Sequence, residues 1–304
     1  MSSAKWLNCR LRDLHAELVA RGHPASLPVI SRLLRAAGYR LRGNTKQWAG
    51  ASHPQRDMQF AHIATEQARH LAQGQPVISV DSKKKELIGP FKNGGRSWGQ
   101  ASEVVYVHDF ESDAVGRAVP YGIYDLTRNQ GAVYIGQSAD TPQFAVDALA
   151  AWCATELRLA YPQATALLIE ADGGGSNSAR ARAWKAQLQE QVADRFGLTV
   201  TVCHYPPGTS KWNPIEHRLF SEISKTWAGC PLRSFELMLE YIGQTTTSTG
   251  LRVRAEQITT TYLTGVKVAD AVMDKLNVQA HEICPQWNYT IRPRIGSGSQ
   301  LLAA

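Results

Sequence analysis

Cysteine is scarce in this chain, and no metal-binding pattern is built on it. The 304 residues hold five cysteines. Cys9, Cys153, Cys203, Cys230 and Cys284 are scattered, odd in number and without any Cys-x-x-Cys spacing. That argues against a disulfide framework and against a zinc ribbon or finger. The one local cluster is Cys203-His204 with His217 and Cys230 further on. It is a poor zinc site, because adjacent residues on a strand point to opposite faces. Long apolar runs are also missing. Nothing approaches the ~20 residues that a membrane helix needs, and the N-terminal MSSAKWLNCRLRD has no apolar signal region. Three glycines at 173–175 are not followed by Lys-Ser or Lys-Thr, so they are no phosphate-binding P-loop. Reduced thiols, no membrane and a cytoplasmic location are expected.

Acidic residues are under-represented in one part only. Residues 1–75 hold 11 of the 33 Lys+Arg and 4 of the 26 Asp+Glu, which leaves 22 of each for the remainder. The whole net charge of +7 therefore sits in the first quarter. A basic segment joined to a charge-balanced domain is the asymmetry of a nucleic-acid-binding module attached to a larger body. A hydrophobic share of 43% provides for an ordinary core.

Periodicity predicts helices over 8–22 and from Ser26 to Gly38, with Ser26 as cap and Pro28 in the first turn. The second helix carries Arg32 and Arg35, and Arg40, Arg42 and Lys46 follow it. Two short helices with a tight connection resemble a helix-turn-helix unit, with the basic tail along a phosphate backbone. A third helix is expected over 54–73, and Gly74 and Pro76 place a domain boundary near 75. Strands are expected at 76–81, 103–109, 119–126, 131–137, 165–171 and 199–205. Helices are expected at 142–160, 178–196, 214–227 and 233–246. Antiparallel strands followed by alternating helix and strand give an α/β domain of ribonuclease-H-like order over 76–284. Residues 285–304, with two prolines and GSGSQ, read as a loosely ordered tail.

Three carboxylates stand out. Asp81 ends the apolar run PVISV and precedes Lys83, Lys84 and Lys85. Asp172 ends LLIEA and precedes the glycines, which let backbone and substrate approach closely. Glu170 lies two residues earlier and shares its face on an ideal strand, so it competes for that role. Glu216 sits in Asn213-Pro214-Ile215-Glu216, a sequence that also suits a helix start with a capping box. Each carboxylate alone has an ordinary structural reading. In order, they form the set that a two-metal phosphoryl-transfer site needs. Hard oxygen ligands suit Mg2+ or Mn2+, and two such ions stabilise the attacking and leaving oxygens of a displacement at phosphorus. Lys211 and His217 flank Glu216 as candidate phosphate contacts, with a solvated lysine and a surface histidine as the open alternative.

These residues coincide with a family pattern. VDSKKKELIGPFKNGGRSW (80–98), ADGGGSNSARARAW (171–184), HYPPGTSKWNPIEHRLFSEISKTW (204–227) and TTTSTGLRVRAE (245–256) resemble the Rhodopirellula-type transposase DDE family. That is a bacterial insertion-sequence group related to the mariner-type superfamily. The resemblance implies a ribonuclease-H-like catalytic domain, Asp81, Asp172 and Glu216 as its triad, and divalent metal, with two ions expected. It implies cut-and-paste transposition on double-stranded DNA, meaning terminal inverted repeats and target DNA. It also implies a homodimer or higher assembly on DNA and a bacterial, nucleoid-associated location. Family members carry more helix-turn-helix material ahead of this region, so a shortened copy is expected. The competing functions are a DNA-binding regulator that has lost chemistry, and a ribonuclease-H-like host nuclease.

Overall fold

A computed structural model describes residues 9–41 and 53–294. Arg42 and Lys46 lie outside the described residues. The chain divides into two compact units, Met1–Gly50 and Ala51–Ala304. In the first, α1 (Leu11–Ala20) and α2 (Leu27–Ala36) are the two expected helices. Gly22 and Gly38 end them with φ of +78° and +85°, a conformation glycine adopts without Cβ strain. Ser26 precedes α2 in extended conformation, but its side chain makes no capping bond. Of α1 and α2, only Ile30 is buried. Arg32, Arg35 and Arg40 are exposed.

The second unit begins earlier than the expected boundary near 75. Helix α3 (Arg56–Ala72) belongs to it. Its buried Gln59 donates to the His204 carbonyl and exchanges amide hydrogen bonds with Asn288. A polar pair inside a core holds only with its hydrogen bonds complete, and these fix α3 to the sheet.

Among the described residues, that sheet is mixed and has nine strands: β1 (Val77–Ser82), β2 (Glu86–Ile88), β3 (Gly116–Asp125), β4 (Gln130–Gly136), β5 (Ala166–Asp172), β6 (Thr199–Tyr205), β7 (Arg252–Ile258), β8 (Val278–Ala280) and β9 (Asn288–Ile291). The order is β7-β4-β3-β1-β5-β6-β9-β8, with β2 paired to β3. Strands β1, β3 and β4 run antiparallel, and β5 and β6 run parallel to β1. Strands β1 and β5 are buried on both faces, which is why they read as largely apolar runs, broken only by the buried Ser79 and Glu170 before their terminal acids.

One face is covered by α4 (Pro142–Trp152), which continues through a widened π-type turn into α5 (Arg158–Ala160), and by α6 (Arg182–Leu188). Ile78, Val80, Leu167, Ile169, Leu149 and Trp184 fill that layer. The other face carries α3 over Val77 and Leu168. It also carries a π-type turn, Glu216–Phe220, that leads into α7 (Ser221–Thr226), and α8 (Phe235–Gly243). A four-residue α9 (Asp270–Met273) precedes β8.

Two expectations fail. Residues 103–109 form no strand, and Val104 and Val107 are about nine-tenths exposed. The run crosses a loop in which Tyr106 bonds the Pro90 carbonyl and packs on Phe91, since apolar character alone supplies no pairing partner. The segment from 285 is ordered up to residue 294, because β9 pairs with β6 and with β8 and all four of its residues are buried. Strand β7 alternates Arg-Val-Arg-Ala-Glu and extends the β4 edge in parallel. No helix among the described residues is long and apolar enough to cross a membrane.

Gly122 on β3 lies opposite Asp81 in the register. A Cβ there would stand 2.5 Å from Phe220 Cε1 and 2.9 Å from Ile215 Cδ1. The glycine thus lets the segment carrying Glu216 lie close on the sheet. Gly122→Ala should cost about 1–3 kcal/mol by overpacking, whereas Gly174→Ala, with open space at its Cβ, should stay within about 0.5 kcal/mol. Chemical denaturation of the two variants checks the contrast.

Candidate active site

The parallel register pairs Val80 with Ala171, so the next residues, Asp81 and Asp172, emerge side by side where β1 and β5 end. Beyond Asp172 the chain turns through Gly173–Gly175, with Gly175 at φ +64°. The buried Asn177 then accepts a 2.8 Å hydrogen bond from the Tyr121 hydroxyl, which anchors the turn. The result is a cleft of about 670 Å³ lined by Asp81, Asp172, Asp140, the three glycines, Pro206-Pro207-Gly208 and Trp287.

Asn213 occupies the position where a capping box would put its cap, but its side chain bonds elsewhere. It is fully buried. Its Oδ1 accepts from the Ser79 hydroxyl, and its Nδ2 donates to Asp172 Oδ1 at 3.0 Å. The same Ser79 Oγ accepts from the Ile215 amide at 3.1 Å. One serine and one asparagine thereby tie β1, the end of β5 and the start of the Glu216 turn together. Glu216 follows in a π-type turn, whose amide bonds the Asn213 carbonyl at 3.1 Å. Such turns are rare and recur at functional sites.

The electrostatics reflect the acidic neighbours of Asp81 and Asp172. Burial pushes the Asp81 carboxyl up to about 8, and the charges of Asp172, Glu216 and Asp140 push the same way, against a hydrogen bond from the Ser82 amide. Burial also raises Asp172, with Glu216 adding to the rise and Asn213 opposing it. Like charges this close disfavour joint ionisation. Asp140 was not anticipated. It lies just ahead of α4 and accepts from Ser82 Oγ at 3.0 Å. A lone aspartate before Thr-Pro gives no signal in sequence beyond a helix start.

Glu170 does not join this group. It is fully buried beneath α3 and takes hydrogen bonds from Tyr205 Oη at 2.7 Å and Gln67 Nε2 at 3.2 Å. Burial lifts its carboxyl to about 7 against those two bonds. The pleat does place it on the face of Asp172, yet α3 covers that part of the face.

Behind Asp172, the buried His204 ring bonds the Asp172 carbonyl through Nδ1 at 3.0 Å and the Tyr289 hydroxyl through Nε2 at 3.2 Å. Burial lowers its pKa to about 4, so the ring is neutral.

The basic residues are spread unevenly. Glu216 opens on an adjoining groove with Lys83, Lys84, Lys211 and His217, and Ser210 lines both spaces. Lys84, Lys85, Lys211 and His217 are exposed. Lys83 is not a free cation, because it pairs with Glu86 at 2.8 Å and stacks over Trp227 at 4.8 Å. His217 Nε2 is engaged by the Lys211 carbonyl at 2.5 Å.

Comparison with known proteins adds the following. The family described as Rhodopirellula transposase DDE domain matches residues 1–293. No curated protein matches the chain. Among solved structures, the Mos1 transposase paired-end complex with left transposon end is 12% identical, with 80% of this chain and 72% of that chain covered and a TM-score of 0.47. The Mos1 mariner paired-end complex with Mn is 13% identical, covering 80% and 73%, with a TM-score of 0.44.

The raised Asp81 pKa has a consequence for stability. Folding favours its protonated form, so its contribution is full below the ordinary value of 3.8 and is lost as pH rises through about 8. His204 acts oppositely, but only between about 4 and 6.5. In the absence of divalent metal, stability should fall between pH 6.5 and 8, and Asp81→Asn should remove much of that fall. Denaturant titration across this window checks it, and a slope unchanged by Asp81→Asn contradicts the assignment.

Proposed function

Because the chain belongs to the Rhodopirellula transposase DDE domain family, we propose that Asp81, Asp172 and Glu216 are the carboxylates with which this transposase cuts and joins DNA. The family uses divalent metal, and the residues here fit one. The donors are hard carboxylate oxygens, and their mutual repulsion at Asp81 is what a dication offsets. The antiparallel β4-β3-β1 block with β5 and β6 parallel beyond it supports a ribonuclease-H-like reading of the domain. Two ions, Mg2+ or Mn2+, would lie between the three carboxylates and would stabilise both the entering and the leaving oxygen of an in-line displacement at phosphorus.

The protein's own part is positioning. Asn213 holds one oxygen of Asp172 and leaves the other free. Ser79 fixes the start of the Glu216 turn against β1. The glycine turn leaves room for a sugar-phosphate backbone. Lys84, Lys211 and His217 border the groove that continues from Glu216, and they, with the exposed Lys85, are proposed to contact flanking phosphates. In the N-terminal unit, the proposed helix-turn-helix would present Arg32, Arg35 and Arg40, with Arg42 and Lys46 beyond, to double-stranded DNA at the terminal repeats. Affinity would then fall steeply with salt as counterions are released. A homodimer or higher assembly on DNA completes the reading.

The observation that carries it is the meeting of Asp81 and Asp172 at adjacent strand ends, with Glu216 tied to both through Ser79 and Asn213. Mg2+- or Mn2+-dependent strand cleavage should be lost in Asp81→Ala, Asp172→Ala and Glu216→Ala, each of which keeps its fold. Glu170→Gln should retain cleavage. Measuring cleavage of end-bearing DNA across this series decides between the two carboxylates of β5. Loss in Glu170→Gln with activity kept in Asp172→Ala would refute the assignment.

A further inference from the structure

A second cluster of ligating side chains lies apart from the carboxylates. His62 and Glu66 are one helical turn apart on α3, so they share a face. His281 follows β8, in the loop that leads to β9. One ligand atom from each of the three lies within 4.8 Å of the others. All three residues are half-buried. His62 Nε2 and His281 Nδ1 are 2.9 Å apart.

The surroundings leave the inner atoms available. His281 Nε2 is 2.8 Å from Thr290 Oγ1. With that nitrogen donating, Nδ1 carries the lone pair. The His281 backbone amide bonds the Asn288 carbonyl at 3.0 Å, which fixes the loop. Glu66 binds Arg69 through Oε2 at 2.6 Å, and a Glu66 carboxylate oxygen lies within 4.8 Å of the imidazole nitrogens. Neutral imidazole is the form that ligates metal, and burial favours it at both His62 and His281. An imidazole held by an outer hydrogen bond, beside a carboxylate held by an arginine, is how metal ligands are commonly oriented.

We propose that His62, Glu66 and His281 form a binding site for a transition-metal dication of the Zn2+ class, separate from the catalytic carboxylates. The ion takes two nitrogens and one carboxylate oxygen, and water completes the shell. Ligation moves the proton between the two rings to the other nitrogen of His62, so no net proton is released there. Zn–N bonds of about 2.0–2.1 Å require the carboxylate to swing inward slightly. Arg69 and Arg292 lie close enough to act on His281, and their positive charge weakens any cation held by charge alone. The site therefore discriminates against Mg2+ and favours ions whose affinity comes from nitrogen ligation.

The role follows from what is joined. Gln59 and Asn288 already tie α3 to β9, and Gln55 bonds Gln286, while Trp287 lines the catalytic cleft. A metal one turn further along α3 would lock the same junction and hold the cleft wall in place.

The test uses the full chain in millimolar Mg2+, which occupies the carboxylates, titrated with Zn2+ alone. One equivalent should bind, and the melting temperature should rise with free Zn2+ by mass action. His62→Ala and His281→Ala should weaken binding by roughly 100-fold or more, and Asp81→Asn should leave it unchanged. X-ray absorption at the zinc edge of the wild-type complex should show imidazole scattering, which decides the matter even if a variant folds poorly. No saturable Zn2+ binding, wild-type affinity in both histidine variants, or a shell of oxygen ligands only would overturn the proposal.

Discussion

The arrangement turns on one buried asparagine. Asn213 sits among apolar layers, where an amide without partners would cost about 1–3 kcal/mol. It meets that demand by accepting from Ser79 and donating to Asp172. The need to satisfy a buried polar group thus fixes the Asp172 carboxylate in space. Because Ser79 also receives the Ile215 amide, the same bonds set where Glu216 begins. Two neighbouring strands and one turn become a single rigid corner.

That corner depends in turn on close approach. Gly122 and Gly131 have no side chains where Phe220, Ile215 and Leu219 press on the sheet. A side chain at either would lift the Glu216 segment away from β1. The corner also stores unfavourable charge. Burial and the charges of Asp172, Glu216 and Asp140 all disfavour ionisation of Asp81, so the folded protein carries a destabilised carboxylate that a bound cation would relieve. Such strain between stability and chemistry is common where function sets the residues.

Much of this was legible in the sequence because the central strands are unusually plain. PVISV and LLIEA are short apolar runs ended by an acid, and both became strands with the acid at the rim. Family likeness in four blocks located Glu216, which periodicity alone could equally have assigned to a cap. The asparagine's true partners were hidden, because Ser79 is 134 residues away in the chain and no local pattern reports such a contact. Asp140 was missed for the same reason. Strand β9 was missed because four residues between Trp287 and Arg292 carry no period long enough to read. The run at 103–109 misled in the opposite sense: its valines are apolar, but they face solvent. Glu170 shows the limit of pleat arguments, since sharing a face with Asp172 did not place it in the cleft once α3 lay over it.

The central claim is that Asp81, Asp172 and Glu216 jointly hold divalent metal. Anomalous diffraction from crystals soaked in Mn2+ tests it most directly. The account predicts manganese peaks in contact with the carboxylates of all three residues. Manganese bound at Glu170, or at Asp81 and Asp140 without Asp172 and Glu216, would contradict it.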